Sequence, residues 1–242
     1  ACSSESKEAW KGFIEQMNTA KTDEERDKVI AEAQPMKFAP RFAEFIKLNA
    51  KDPIAIEAMS QLMEVKPFGA DFEEALKTIA SHHASNEAVT SLFGPLDDGF
   101  TPGIEDFYRT LIEKSSNRTI QAKACLGVAQ FLSGLKGKLG SLPAEGTPES
   151  AQAEKYLGKE IIAKLRLIDH QQLQKKAEAY LDRATKEFGD VSEGGVPIAK
   201  LAERELKATR EKSNLDIGNV APEIEGEDIE GKTFKLSDYR GK

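Results

Sequence analysis

FAEFIKLNAKDPIAIEAM (residues 42–59), ALKTIASHHASNEAVTSL (75–92) and YRTLIEKSSNRTIQAKAC (108–125) come into register when the chain is laid against itself at a step of 33 residues. Ile46, Ile79 and Ile112 then share one column, and Phe42, Ala75 and Tyr108 another. Ile56, Val89 and Ala122 make a third column, and Met59, Leu92 and Cys125 a fourth. The first two columns lie four residues apart, the spacing at which side chains stack on one face of a helix. Each unit then carries a polar break at Asp52-Pro53, Ser85-Asn86 or Asn117-Arg118. Asp or Asn in that place is an N-cap for a second helix, because its side-chain oxygen accepts from the orphan N–H groups of the first turn. Pro53 suits that first turn, where its missing N–H costs nothing.

Two helices per unit at a period of about 34 residues predict a tetratricopeptide-like α-hairpin array, in which neighbouring units bury each other's apolar faces. The Trp, Gly-Tyr and late Pro of the tetratricopeptide consensus are absent, so the expectation is of architecture and not of family. The predicted fold class is all-α, with a short C-terminal β-hairpin described below.

The flanks of the repeats also read as helix. Trp10, Phe13, Ile14 and Met17 line one face of a leading helix. Thr22-Asp23-Glu24-Glu25 is a capping box that starts a second one, and Pro35 and Pro40 punctuate the chain before the first unit. After the third unit, Gly134, Gly137, Gly140, Pro143, Gly146 and Pro148 predict an end of helix near Gly134 and a surface loop. Thr147-Pro148 restarts the helix, and Tyr156, Ile161, Ile162 and Leu165 continue an apolar stripe. AEAYLDRATKEFGDV (177–191) and the stretch from Ile198 to about Lys212 form a last helical pair.

Composition agrees with a solvated helical protein: 39% hydrophobic, 31% charged and 7% aromatic residues in a chain of 242. The 41 acidic against 34 basic residues leave a net charge of −7, which repels a phosphate backbone, so nucleic acid is not an expected partner. No run of about 18 apolar residues occurs that would span a bilayer.

The stretch IGNVAPEIEGEDIEGKTFKLSDYRGK (217–242) leaves helical periodicity. Ala221-Pro222 favours extended backbone, Glu230-Gly231 supplies a turn, Thr233 to Leu236 alternate polar and apolar, and Ser237-Asp238-Tyr239 reads as a capped turn. Gly218, Ala221, Pro222, Asp228, Gly231, Lys232, Leu236, Ser237, Asp238, Tyr239, Gly241 and Lys242 together resemble the opening of TlpA-type thiol:disulfide oxidoreductases and the related AhpC/TSA peroxiredoxins. In that thioredoxin-like superfamily this opening leads into a hydrophobic strand and a Cys-x-x-Cys or single-Cys site. The chain holds Cys2 and Cys125 and no Cys-x-x-Cys, so the resemblance implies no catalytic residue here and a reactive sulfur beyond Lys242. The domains expected are residues 1–35 (anchor region and leading helices), 36–213 (helical repeats) and 214–242 (start of a truncated thioredoxin-like domain).

Ala1-Cys2-Ser3-Ser4 resembles the end of a bacterial lipoprotein signal, which implies lipid attachment at Cys2, removal of the apolar leader and a cell-envelope location on the periplasmic side. The other reading is an incidental cysteine. Cys125, in the apolar stretch QAKACLGVA, reads as a packed thiol and not as a nucleophile. The two cysteines can pair only if the fold brings their Cα atoms within about 7 Å.

The remaining candidates are plainer. His82-His83 read as surface histidines, since adjacent helical residues diverge too far to clamp one metal. His170 reads as a helix-flanking residue, and Asp97-Asp98-Gly99 as a turn without the oxygens of a calcium loop. Glu223, Glu225, Glu227, Asp228 and Glu230 read as a solvated acidic run. No metal and no cofactor is expected. The expected role is the N-terminal helical domain of an envelope thiol:disulfide oxidoreductase, presenting a protein redox partner or peptide, or setting distance from the membrane. The alternatives are a non-catalytic solenoid scaffold for protein binding and an AhpC/TSA-type peroxidase.

Overall fold

Helix dominates the chain. The computed structural model describes residues 2–32, 35–214, 223–227, 229 and 231–239. Among them are α1 (Cys2–Thr19), α2 (Asp23–Ala31), α3 (Ala39–Leu48), α4 (Ile54–Val65), α5 (Ala70–His83), α6 (Phe93–Asp97), α7 (Gly103–Lys114) and α8 (Arg118–Gly140). There follow α9 (Pro148–Leu157), α10 (Lys159–Arg166), α11 (His170–Phe188) and α12 (Ile198–Asn214). Two small antiparallel hairpins, β1 (Ser192–Glu193) with β2 (Val196–Pro197) and β3 (Glu225–Glu227) with β4 (Thr233–Lys235), and three short 3-10 helices accompany them.

All twelve residues of the four repeat columns are buried, with exposures from 0% to 5%. The three polar breaks cap as their sequence dictates. Ile54 N–H donates to Asp52 Oδ1 at 3.0 Å, Ala88 N–H to Asn86 Oδ1 at 3.0 Å, and Thr119 N–H to Asn117 Oδ1 at 2.9 Å. Helix α3 packs on α4 and α5, α5 on α7, α7 on α8, α8 on α11 and α11 on α12. At one end of the α8–α11 pair, Arg118 reaches Asp190 at 2.6 Å, and at the other Lys136 donates to Gln174 at 2.8 Å, so these two helices run antiparallel. One apolar core runs from Ala39 to Ala202.

Five expectations need correction. The second unit does not continue as one helix: a 3-10 turn spans Glu87–Leu92 and α6 starts at Phe93. Pro95 is the cause, since it lacks an N–H and would crowd the carbonyl four residues back, and is tolerated only within a first turn. Helix α8 does not stop near Gly134 but runs to Gly140. Buried Leu135 and Leu139 continue its apolar stripe and offset the roughly 1 kcal/mol that each interior glycine costs. The stripe from Tyr156 to Leu165 is split at Gly158, which adopts φ 95° between α9 and α10. The β1–β2 hairpin was not expected; Gly194 and Gly195, at φ 55° and 80°, form its bend. On α1, Trp10 packs against the core, but Ile14 is 53% exposed and lies off that face.

The capping box forms: Glu25 N–H donates to Thr22 Oγ1 at 3.2 Å, and Lys21 N–H and Thr22 N–H donate to Glu25 Oε2 at 2.7 and 3.2 Å. Those backbone donors hold the Glu25 carboxyl below its usual value.

In the C-terminal hairpin Glu225 faces Lys235, Gly226 faces Phe234 and Glu227 faces Thr233. Gly231 takes φ 78° at the bend, and Leu236–Tyr239 forms a 3-10 turn. Phe234 and Tyr239 meet edge to face at 6.1 Å. None of the described residues from 223 onward belongs to the helical core. Gly218, Ala221, Pro222, Asp228, Glu230, Gly241 and Lys242, and the side chain of Cys2, lie outside the described residues. Among the described residues no helix is long and apolar enough to cross a membrane.

Candidate functional site

The Tyr108 hydroxyl anchors a polar cluster at the edge of the core. Its ring is fully buried and sits edge-on to Phe93 at 5.0 Å and Phe107 at 5.6 Å. Helix α8 approaches this ring at Gly127, where an added Cβ would stand 2.7 Å from the tyrosine, so only glycine permits the contact. A buried phenol needs a partner, and Tyr108 Oη has two: Asp97 Oδ1 at 2.7 Å and the Phe93 carbonyl at 3.0 Å.

Asp97 closes α6, and the turn that follows is pinned. Gly99 N–H donates to the Leu96 carbonyl at 2.9 Å, and the Lys138 ammonium of α8 donates to the carbonyls of Asp98 and Gly99. Gly134 keeps α8 free of a side chain where the Asp97 carbonyl comes near. Burial pushes the Asp97 carboxyl up to about 7; Asp98 and Glu205 push the same way, while the Tyr108 hydrogen bond and Lys138 oppose them. Tyr108 is itself held well above its ordinary value, chiefly by burial. Lys138 is lowered, again by burial.

A hydroxyl has one proton to give. When Asp97 is ionised, Tyr108 donates to it. When Asp97 is protonated, the carboxyl donates to Tyr108 Oη and the hydroxyl turns to the Phe93 carbonyl. Both protonation states are therefore satisfied by the same three groups, and the group titrates near neutral pH.

Asp97 also borders a cleft of about 340 Å³ between α6, α8, the β1–β2 hairpin and α12. Leu126 and Leu201 line it together with the polar side chains of Lys123, Gln130, Glu193, Arg204 and Glu205. Lys123 Nζ pairs with Glu193 Oε1 at 2.9 Å. Chemically it is a cleft with one carboxyl able to give or take a proton near neutral pH, and the Thr90 hydroxyl also lines it.

The residues singled out from sequence fall elsewhere. The Cys125 side chain is fully buried and its thiol is pushed up to about 12, first by burial, so it stays protonated and unreactive. His82 is exposed, but His83 is 4% exposed with Nε2 unpartnered among the described residues, so only the first of the two is a surface histidine. The cause is position: His83 shares the inner face of α5 with Leu76, Ile79 and Ala80. His170 opens α11 directly after the Asp169 cap. Asp97-Asp98-Gly99 does form a turn, but Asp97 also accepts a part-buried hydrogen bond from Tyr108, which its local sequence does not signal. Of the acidic run, Glu225 pairs with Lys235 and Glu223 accepts from the Ser237 N–H, so part of it is internal to the hairpin. Among the described residues no group of three or more His, Cys, Asp or Glu could hold a metal ion.

The missed signal was Tyr108 itself. Its column holds Phe at 42 and Ala at 75, and a hydroxyl entering a buried column demands an acceptor close by. Compared with protein-family models, with curated proteins and with solved structures, the chain matches none.

Proposed function

We propose that this chain is the helical, partner-presenting region of a cell-envelope thiol:disulfide oxidoreductase, with residues 36–213 as a tetratricopeptide-like array and residues from 214 opening a thioredoxin-like domain. The observation that carries the redox half is the closing hairpin. Gly231 sits at its bend and Leu236, Ser237, Asp238 and Tyr239 follow as a tight turn, outside the helical core, where the resembled motif leads into its active-site strand. The array half is supported by the twelve buried column positions and by the succession of helices α3, α5 and α7, each packed on the next. The lipid anchor at Cys2 and the envelope address are part of this reading.

In such a protein the attacking thiolate belongs to the domain after Lys242, and the helical region holds the partner near it. The test is made on the protein encoded by the complete gene, expressed with its native leader. Acceleration of insulin disulfide reduction by dithiothreitol, lost when cysteines downstream of Lys242 are changed to serine, supports the proposal. A frame without a downstream cysteine removes it. Consumption of hydrogen peroxide by the same protein would move it to the peroxidase branch, and mass spectrometry showing an unmodified Cys2 would remove the anchor.

One observation favours a second reading, a non-catalytic scaffold: the described thiol, Cys125, is buried and protonated while the Asp97 cleft is open to a partner.

A further inference from the structure

We propose that the cleft between α6, α8 and α12 binds a peptide segment of a protein partner through one basic side chain, seating its cation between Asp97 and Glu205. This rests on the partner-presenting half of the function proposed above and is independent of its redox half.

The charges around the cleft are unbalanced in one direction. It is bordered by three carboxylates, those of Asp97, Glu193 and Glu205, and by two cations, Lys123 and Arg204. Lys123 is committed to Glu193 at 2.9 Å. Lys138 lies by the turn after α6, where it donates to the carbonyls of Asp98 and Gly99 and stands 3.9 Å from Asp98 Oδ1. Asp97 thus has a hydrogen bond from Tyr108 on α7 but no ion pair among the described residues. Asp97 is a half-buried carboxyl in contact with no described cation: Lys138 acts on it only from a distance, and burial outweighs that help and raises it toward neutral pH.

Shape and surroundings select a side chain over a bare ion. Leu126 and Leu201 offer apolar surface along which the methylene stem of Lys or Arg lies while its head reaches the carboxylates. A volume of about 340 Å³ is at the small end of ligand pockets and suits one long side chain with adjoining backbone. At the rim, Arg204 and Gln130 are exposed and make no hydrogen bond or ion pair among the described residues. Their N–H groups are free to donate to the carbonyls of the incoming peptide. An acidic side chain would meet Asp97 and Glu205 instead and be repelled.

The experiment is an NMR titration of the isotope-labelled chain at pH 7.5 with N-acetyl-arginine N-methylamide, and with its neutral citrulline analogue. The expected result is saturable movement of amides at 93–97, 126–130 and 201–205, with citrulline binding about tenfold weaker and the Asp97 midpoint lowered by about one unit on arginine binding. Asp97→Asn and, on the rim, Glu205→Gln should each weaken arginine binding by about tenfold. The second variant lies on α12 outside the apolar core and keeps the test valid if the first disturbs folding. Equal binding of the two ligands, movement that does not saturate, or full affinity in Glu205→Gln would overturn the inference. Arginine binding in a protein without a downstream cysteine would remove the redox reading alone; disulfide exchange without arginine binding would remove this one alone.

Discussion

Tyr108 Oη lies 2.7 Å from Asp97 Oδ1, so a residue of the repeat's buried column, on α7, is tied to the carboxyl that ends α6 and borders the cleft. Packing and electrostatics meet in that one hydrogen bond. The first prediction concerns its pH dependence. The folded-state value of Asp97 is about 7, above the ordinary 3.8. Between those values the folded chain holds a proton that the unfolded chain has released, so this group's contribution to stability is greatest below about pH 4 and falls as pH rises toward 7. Asp97→Asn removes that dependence while keeping an acceptor for Tyr108. Urea unfolding followed by circular dichroism should show the variant close to the parent at pH 4 and more stable at pH 8. The gain should be on the order of 1–2 kcal/mol once solvent screening in the open cleft is discounted. An equal difference at the two pH values would contradict the assignment.

Tyr108→Phe tests the other partner. The ring keeps its contacts with Phe93 and Phe107, but the Phe93 carbonyl and Asp97 lose their shared donor. Leaving buried acceptors without a donor costs about 1–3 kcal/mol, measured as a lower urea midpoint. Because the hydrogen bond from Tyr108 lowers the Asp97 value, its loss should move the carboxyl midpoint further up. Carbon-13 titration of the Asp97 carboxyl reads this directly, and a midpoint that falls would contradict it.

What could be read ahead of the structure was local or periodic. The four columns, the Asp52, Asn86 and Asn117 caps and the Thr22–Glu25 capping box each depend on residues within one or two turns of one another. The bend at Gly231 and the turn at Leu236–Tyr239 were legible for the same reason. The length of α8 was not, because three glycines spoke for a loop while Leu135 and Leu139 act through helices remote in sequence. Gly194-Gly195 is itself a local hairpin signal, since paired glycines supply the positive φ that a tight bend needs. Asp97 was legible only as a turn. Its character comes from Tyr108 on α7, Lys138 on α8 and Glu205 on α12, which no local pattern brings together.

Glycines in the same helix should respond oppositely to alanine. Gly127→Ala places a methyl group 2.7 Å from the Tyr108 ring, and overpacking of this kind costs about 1–3 kcal/mol. Gly137 is exposed on α8 and has nothing within 4 Å of an added Cβ. Gly137→Ala should therefore stabilise the chain by up to about 1 kcal/mol through helix propensity alone. Thermal unfolding of the two variants gives the comparison, and destabilisation by both would mean that α8 does not extend past Gly134 as a helix.

Cys125 should resist thiol reagents until the core opens. Its side chain is fully buried between residues of α8 that pack on α11, and its thiol is pushed up to about 12. At pH 8 that leaves about one part in 10⁴ as the reactive thiolate, before the reagent's lack of access is counted. In a Cys2→Ser background, where one thiol remains, labelling by a disulfide reagent in native buffer should be at least about a thousandfold slower than in urea, because it must wait for opening of the α8–α11 packing. The rate should then rise with sub-denaturing urea and with destabilising variants such as Gly127→Ala. Rapid labelling that is indifferent to urea would place the thiol at an accessible site, and a partner-facing redox role for Cys125 would have to be reopened.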